Sequence, residues 1–490
     1  MSLQNAIEAL KRKDFASART LIECEDINSY AVQHFMIKGI SEMALRDWGG
    51  ARRTFLAATA KYPDQDAFWL NKGLAEENLK LIDDAILSQE RSLGLNPLQG
   101  EACGNLSNLY RKQKLFTKAE EMARRALANG ASESDALNCL GLALCKQGKF
   151  DVASDVFLKA HQVDPYNPAI LGNLANLEIE LLHFDEAWKL FAAARAISDN
   201  AIFRHDEGLA RLLDGDFELG WKLFEARLEL PGALRISPTC PRWQGEDLRG
   251  KKLLILAEQG LGDVIQFCRY QEFLPKENLV WALPKSLVRL MKGALRGTVL
   301  DETSVLPLCD YYVPMMSLPL ASGHLKPEAG EFHPVLPQTP KLPTGKHKLK
   351  VGLIWAGSPT HERDHERSIK LRLLTPLTEK LAADFYAPFT GESLNEIGDL
   401  PILRLDALIT DFADTAALLK QLDYLITVDT AAAHLAGALG IKTFLLLPYC
   451  PDWRWGRQGE ATPWYPSLTL LRQKTYGDWQ SAVEYLMRII

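Results

Sequence analysis

Residues 66–99 read DAFWLNKGLAEENLKLIDDAILSQERSLGLNPLQ, and this stretch decides the fold of the amino-terminal half. Gly73 and Ala85 lie twelve residues apart, Trp69 stands four before Gly73, and Pro97 closes the stretch. The same pair recurs as Ala6/Ala18, Gly39/Ala51, Ser107/Ala119, Gly141/Ala153, Ala175/Ala187 and Gly208/Gly220. In chain order the first members are separated by 33, 34, 34, 34, 34 and 33 residues. Aromatic residues keep the phase. Phe35 precedes its small residue by four, and Trp48, Phe150, Phe184 and Phe217 precede theirs by three. Pro63 and Pro165 close their own stretches as Pro97 does.

A period of 34 residues marks tetratricopeptide repeats, in which two antiparallel helices cross so closely that their contact points must be small. The pattern predicts a right-handed superhelix of about seven helix pairs over residues 1–234. Its concave groove would hold a peptide or partner protein. Asn71, Asn105 and Asn173 share one phase of the first helix, with Cys139 at the intervening step. Stacked amides facing a groove would each offer a peptide bond one donor and one acceptor, reading backbone rather than side chains. The alternative is that they cap or bridge neighbouring repeats. The DxD runs Asp64–Asp66 and Asp214–Asp216 fall in turns, where Asp and Gly are expected, so no metal is read there.

Composition sets the outer bounds. The 490 residues call for several domains, and 47% apolar with 24% charged content is that of a folded protein. A net charge of −6 argues against a nucleic-acid binder. The eight cysteines are scattered without a CxxC pair, which fits a reducing cytoplasm. The first fifteen residues, MSLQNAIEALKRKDF, are charged where a signal peptide would be apolar, and no run is long enough to span a membrane.

Past Pro231 the helical period gives way to short apolar runs alternating with helical segments, the pattern of parallel sheets covered by helices. One unit (251–340) opens with KLLILA at 252–257, the loop Glu258–Asp263 and a helix beginning DVIQFCRY. Further strands are read at NLVWAL (278–283) and near YYVPM. A second unit (341–490) starts at KVGLIWAG (350–357) and continues through DYLITV (423–428), the helix TAAAHLAGALG and KTFLLLP (442–448). Residues 235–250 form a linker, and the Pro-rich stretch 327–343 separates the two units. Open α/β sheets bind ligands at the carboxyl edges of their strands, so the active site is expected in a cleft between the units.

The turn Gly260-Leu261-Gly262-Asp263 lacks the third glycine of a dinucleotide fingerprint, because Ile265 occupies that place. It projects one carboxylate, Asp263, which either faces the cleft or caps the helix it opens. In the second unit Asp429-Thr430 ends a strand and begins the small-residue helix Ala431-Ala432-Ala433-His434. Amides at such a helix start approach a phosphate closely, with capping by Thr430 as the competing reading. His434 lies one turn in and faces either cleft or core. The loop 358–368 holds Ser358, His361, Arg363, His365 and Arg367. Its histidines lack a third metal ligand, whereas the guanidinium forks of Arg363 and Arg367 match phosphate geometry.

Residues 250–485 resemble the GT-B glycosyltransferases of the heptosyltransferase type. Leu261-Gly262-Asp263 matches the family's turn that carries the proposed base. Val428-Asp429-Thr430-Ala431-Ala432-Ala433-His434-Leu435 matches its donor-binding segment, with Ala431 in place of a glycine. Arg367 stands where the family has a phosphate-binding lysine, and Phe389-Thr390-Gly391-Glu392 where it has a nucleoside-contacting turn. Fusion to repeats, together with Pro451-Asp452-Trp453-Arg454-Trp455 and Pro463-Trp464-Tyr465-Pro466, is similar to bacterial repeat-containing glycosyltransferases that modify proteins, flagellin among them. The resemblance implies a tetratricopeptide superhelix followed by a GT-B pair of Rossmann-like domains, acceptor side first and donor side second. It implies transfer of a sugar from a nucleotide-activated donor to Ser or Thr of an acceptor protein, with Asp263 as base. Gly260, Gly262, Ser358, Arg367, Gly391, Glu392, Asp429, Thr430, Ala431, Ala432 and His434 would serve the donor, and Asn71, Asn105 and Asn173 the acceptor. No metal or further cofactor is called for. Adenosine-diphosphate heptose, uridine-diphosphate sugars and cytidine-monophosphate nonulosonic acids all remain open as donors. The alternatives are a repeat scaffold whose GT-B part is inactive and a lipopolysaccharide heptosyltransferase.

Overall fold

The computed structural model describes residues 2–24, 26–330 and 332–490. The chain divides into two compact units, Met1–Leu177 and Glu178–Ile490. In the first, helices Ser2–Lys11, Phe15–Glu23, Val32–Ala44, Trp48–Lys61, Asp66–Asn78, Ile82–Leu95, Gly100–Lys112, Phe116–Ala128, Glu133–Cys145 and Phe150–Val163 follow one another at the period read from the sequence. Their crossing points are closed by small side chains: Ala18, Ala51, Ala85, Ala119 and Ala153 are fully buried. A Cβ placed on Gly141 would lie 2.5 Å from the Phe157 ring, closer than packed atoms come.

The turn inside each helix pair repeats as well. Lys13, Arg46, Lys80, Lys114 and Gly148 all take the left-handed backbone, with φ of 60, 60, 62, 61 and 71°. That conformation ends one helix and turns the chain into the next. Asp14 and Asp47 then accept the backbone N–H of Ser17 and Gly50, capping the second helix of their pairs.

The second unit begins with helices Phe184–Ile197, Ala201–Asp214 and Phe217–Phe224, which pack on the sheets that follow. Trp221 donates its indole N–H to the Leu325 carbonyl at 2.8 Å and sets its ring against Phe267 and Trp453. The buried Arg227 forks onto Glu258 at 2.8 and 3.0 Å.

A parallel sheet of β1 (Leu253–Leu256), β2 (Leu279–Leu283), β3 (Thr298–Asp301) and β4 (Tyr311–Pro314) is ordered β3-β2-β1-β4. A second comprises β5 (Leu349–Ile354), β6 (Ala383–Ala387), β7 (Ile402–Arg404), β8 (Tyr424–Val428), β9 (Thr443–Leu447) and β10 (Leu468–Arg472), ordered β10-β9-β8-β5-β6-β7 and again parallel. β8 and β9 are buried along their whole length and are predominantly apolar, as burial on both faces requires. The strand order reverses beside β1 in the first sheet and between β5 and β8 in the second. The loops leaving β1, β5 and β8 therefore emerge at the points where such sheets hold ligands. Among the described residues no helix is long and apolar enough to cross a membrane.

Candidate functional site

Two strand-to-helix junctions meet. Helix Leu261–Phe267 follows β1, helix Ala431–Ala438 follows β8, and the two pack on each other. The approach is close because Gly262 has no side chain: a Cβ there would stand 2.7 Å from His434 Cδ2 and 3.4 Å from Ala431 Cα. One hydrophobic core runs on from Leu253 and Ile255 to Leu445 and Leu447, so the two sheets share it.

Asp263 stands at this meeting with both oxygens engaged. Oδ2 accepts the Gly260 N–H at 2.7 Å, closing the first turn of its helix. Oδ1 is ion-paired with Arg454. Burial pushes the Asp263 carboxyl upward, against the Arg454 charge and the Gly260 N–H. Arg454 is itself buried. Its Nη1 donates to Asp452 Oδ1 at 2.7 Å, its Nε to Gln266 Oε1 at 2.7 Å, and the guanidinium lies 4.4 Å from the Trp453 ring centroid. In the sequence the 451–455 stretch counted only as part of a family resemblance, and this clamp was missed. The available signal was a charged pair, Asp452 and Arg454, set among tryptophans, since a charge buried beside apolar rings needs a partner.

At the other junction Thr430 starts its helix without a side-chain capping bond, and its hydroxyl lies 3.4 Å from that of Thr427. Asp429 precedes it, part-exposed. Burial and the negative charge of Asp452 push its carboxyl up to about 6, against the pull of Arg367, Arg454 and the Trp455 indole. His434 is 5% exposed, its Nδ1 3.0 Å from the Tyr465 hydroxyl and its ring stacked on Trp455. Burial lowers its pKa to about 3, so the imidazole is neutral at physiological pH.

The loop after β5 brings Arg367 to the same charges, since its guanidinium is felt by Asp429, His434 and His361. Arg367 Nε lies 3.4 Å from Asp364 Oδ1, and its Nη2 would be 2.6 Å from a Cβ on Gly357. Arg363 turns away from this cluster: it binds Glu180 at 3.0 Å, Glu366 at 2.5 Å and the Cys450 carbonyl at 3.1 Å. Ser358 is exposed and pairs with Thr360 at 2.8 Å. Gly391 and Glu392, both exposed, follow β6, with Gly391 at a φ of 133° that suits only glycine. The Asp263–Arg454 cluster thus unites Asp263, Gly262, Asp429, Thr430, Ala431, His434 and Arg367, while Ser358, Gly391 and Glu392 stand on neighbouring loops. Among the described residues no group of three or more His, Cys, Asp or Glu side chains is placed to hold a metal ion.

In the repeat unit Asn71 donates to Ala67 O of its own helix at 2.7 Å, and Asn173 donates to Asn138 Oδ1 of the preceding repeat at 2.8 Å. Asn105 is half-buried on the same phase, and Cys139 lies 3.8 Å from Asn108 Oδ1.

The tetratricopeptide repeat family model matches residues 38–99 and 105–168, and the first unit is built of these repeats. Across 528 aligned positions the chain is 24% identical to Protein FlbA of Caulobacter vibrioides, covering 98% of this chain and 87% of that protein. Among solved structures it is similar to a tetratricopeptide repeat protein from Parabacteroides merdae, with 14% identity, a TM-score of 0.42, and coverage of 47% of this chain and 92% of that one. YrrB, a TPR protein with an unusual peptide-binding site, is 17% identical at a TM-score of 0.28, covering 36% of this chain and 91% of its own.

Proposed function

We propose that the α/β unit is a GT-B-type glycosyltransferase that moves a sugar from a nucleotide-activated donor to a Ser or Thr hydroxyl of an acceptor protein selected by the repeats. The observation that carries the reading is the meeting of an acid, Asp263, with a helix start that its own N-terminal side chain, Thr430, does not cap, under the charge of Arg367. Asp263 takes the proton of the acceptor hydroxyl as that oxygen bonds to the anomeric carbon. The bond from that carbon to the phosphate oxygen breaks, and its electron pair leaves with the phosphate. Arg367 and the Ala431 and Ala432 amides stabilise the departing anion. A single displacement inverts the anomeric carbon. Asp429, near the phosphate side, offers a carboxyl to sugar hydroxyls. The chemistry belongs in the cytoplasm, and a flagellin is the favoured acceptor. These supports come from the residue resemblance and from the cluster together.

Intact-mass spectrometry of candidate acceptors expressed with and without this chain tests the proposal. A mass increment equal to one sugar residue is expected, and it also identifies the sugar class. A second reading has one observation in its favour: both Asp263 oxygens are already engaged and the two helices are packed together. In that case the α/β unit is a rigid adaptor. Calorimetry with a panel of nucleotide sugars separates the two, since an adaptor binds none of them and leaves every acceptor unmodified.

A further inference from the structure

We infer that Arg454 is the positioning residue of this transfer: it aims the Asp263 carboxyl from across the sheet junction and supplies the counter-charge that lets it act as a base. The inference rests on the transfer reading above. Arg454 leaves the loop after β9, whereas Asp263 and Gln266 sit on the helix after β1, so one guanidinium ties the acid to the opposite sheet. Gln266 shows how firmly the guanidinium is placed. Its Oε1 accepts from Arg454, which leaves its buried Nε2 with no partner, and turning the amide over would set donor against donor. Asp452 holds a second edge and Trp453 one face.

Arg454 and the Gly260 N–H favour the charged form of Asp263, while burial, Asp452 and Glu258 oppose it. Glu258 is bound by Arg227, and His434 is neutral. Without Arg454 the counter-charge in direct contact with Asp263 is gone while burial, Asp452 and Glu258 still oppose ionisation, so the carboxyl shifts toward its protonated form, which accepts no proton from a hydroxyl. Each carboxylate oxygen has two lone-pair positions, so the contacts to Arg454 and Gly260 leave room for an incoming hydroxyl.

The test is the pH profile of kcat/KM for wild type, Arg454→Met, Arg454→Lys and Asp452→Asn, with Asp263→Asn as the inactive baseline. Arg454→Met should lower kcat at pH 7 by at least about tenfold and move the acid limb up by about one to three pH units, with donor affinity changed only a few-fold. Arg454→Lys should return the limb toward wild type, and Asp452→Asn should move it down. Carbon-13 titration of the aspartate carboxyls, assigned with Asp263→Asn, reads the same shift without turnover. If wild type transfers but neither limb nor titration moves in any of the three variants, Arg454 is structural and the inference fails alone. If wild type transfers no sugar while the titration moves, the transfer reading fails and takes the catalytic meaning of Arg454 with it. Arg454→Lys and Asp452→Asn keep the question open to an answer should Arg454→Met not fold.

Discussion

The junctions at 256–263 and 428–434 are built alike, each a buried parallel strand, a tight turn and a helix, yet they handle their acids in opposite ways. Asp263 lies at the third helical position, from which its side chain folds back to the Gly260 N–H. Asp429 lies one residue before the N-terminal cap, Thr430, so its chain places it outside the helix that its neighbour opens. The first junction satisfies its own helix start and presents an acid held by an arginine. The second has no side-chain cap on its helix start, since the Thr430 hydroxyl turns to Thr427, and presents amides. A shift of a few positions in where the aspartate sits is enough to make one junction the proton acceptor and the other the anion cradle.

The sharpest way to break this pairing is Asp263→Ala. Transfer should fall by about 10²- to 10⁴-fold, as loss of a general base does, while donor affinity measured by calorimetry stays within a few-fold. Equal loss of both would make Asp263 a helix cap and nothing more. Next in size is Arg367→Ala, which tests the cradle. Nucleoside mono- or diphosphate binding should weaken by about 1.5–3 kcal/mol, the worth of a charge-assisted hydrogen bond, and unchanged affinity would remove Arg367 from the site.

What was legible in the sequence follows from the range of each constraint. The repeats could be read because a steric demand recurs every 34 residues, and the small residues at Gly39, Gly73 and Gly141 all face bulky neighbours as that demand requires. The strands β1, β2, β4, β5, β8 and β9 could be read from their apolar runs, whereas the fully buried β6 was not, because Asp384 interrupts its apolar run. By contrast β3, β7 and β10 are short or carry polar residues at their ends, and nothing in their apolar content sets them apart. The position of Asp263 at a sheet edge was visible from its turn. Its clamp was not, because Arg454 lies 191 residues away and nothing local marks the two as partners. The same distance argument applies to Arg363. Its spacing matched a phosphate fork, but Glu180, on a helix far earlier in the chain, takes up the guanidinium.

A smaller effect probes how tightly the two junctions are pressed together. Gly262→Val places its branches against His434 and the Ala431 backbone, where even a Cβ would be 2.7 Å from the imidazole. Overpacking of this kind costs about 1–3 kcal/mol, read from the urea midpoint of the α/β unit. Urea stability equal to wild type would mean that the junctions separate freely and that their contact has no role in setting the distance between acid and cradle.

The smallest expected effect is the most direct on the comparison, because it asks what charge the second acid carries. Asp429 has its carboxyl raised to about 6 by burial and Asp452. A raised carboxyl means that the folded chain holds the proton more tightly than the unfolded one. Its contribution to stability is complete below the ordinary carboxylate value of about 3.9, declines as pH rises, and is lost above about 6. Asp429→Asn carries no such charge, so the variant should match wild type near pH 4 and become more stable than it through pH 6, by on the order of 1–2 kcal/mol at pH 7. Thermal or urea unfolding across that window reads the difference. A variant less stable than wild type at pH 7 would mean that Arg367 and Arg454 hold Asp429 as a charged partner, outweighing burial and Asp452. The second junction would then be an arginine-clamped acid like the first, and the division between proton acceptor and anion cradle would dissolve.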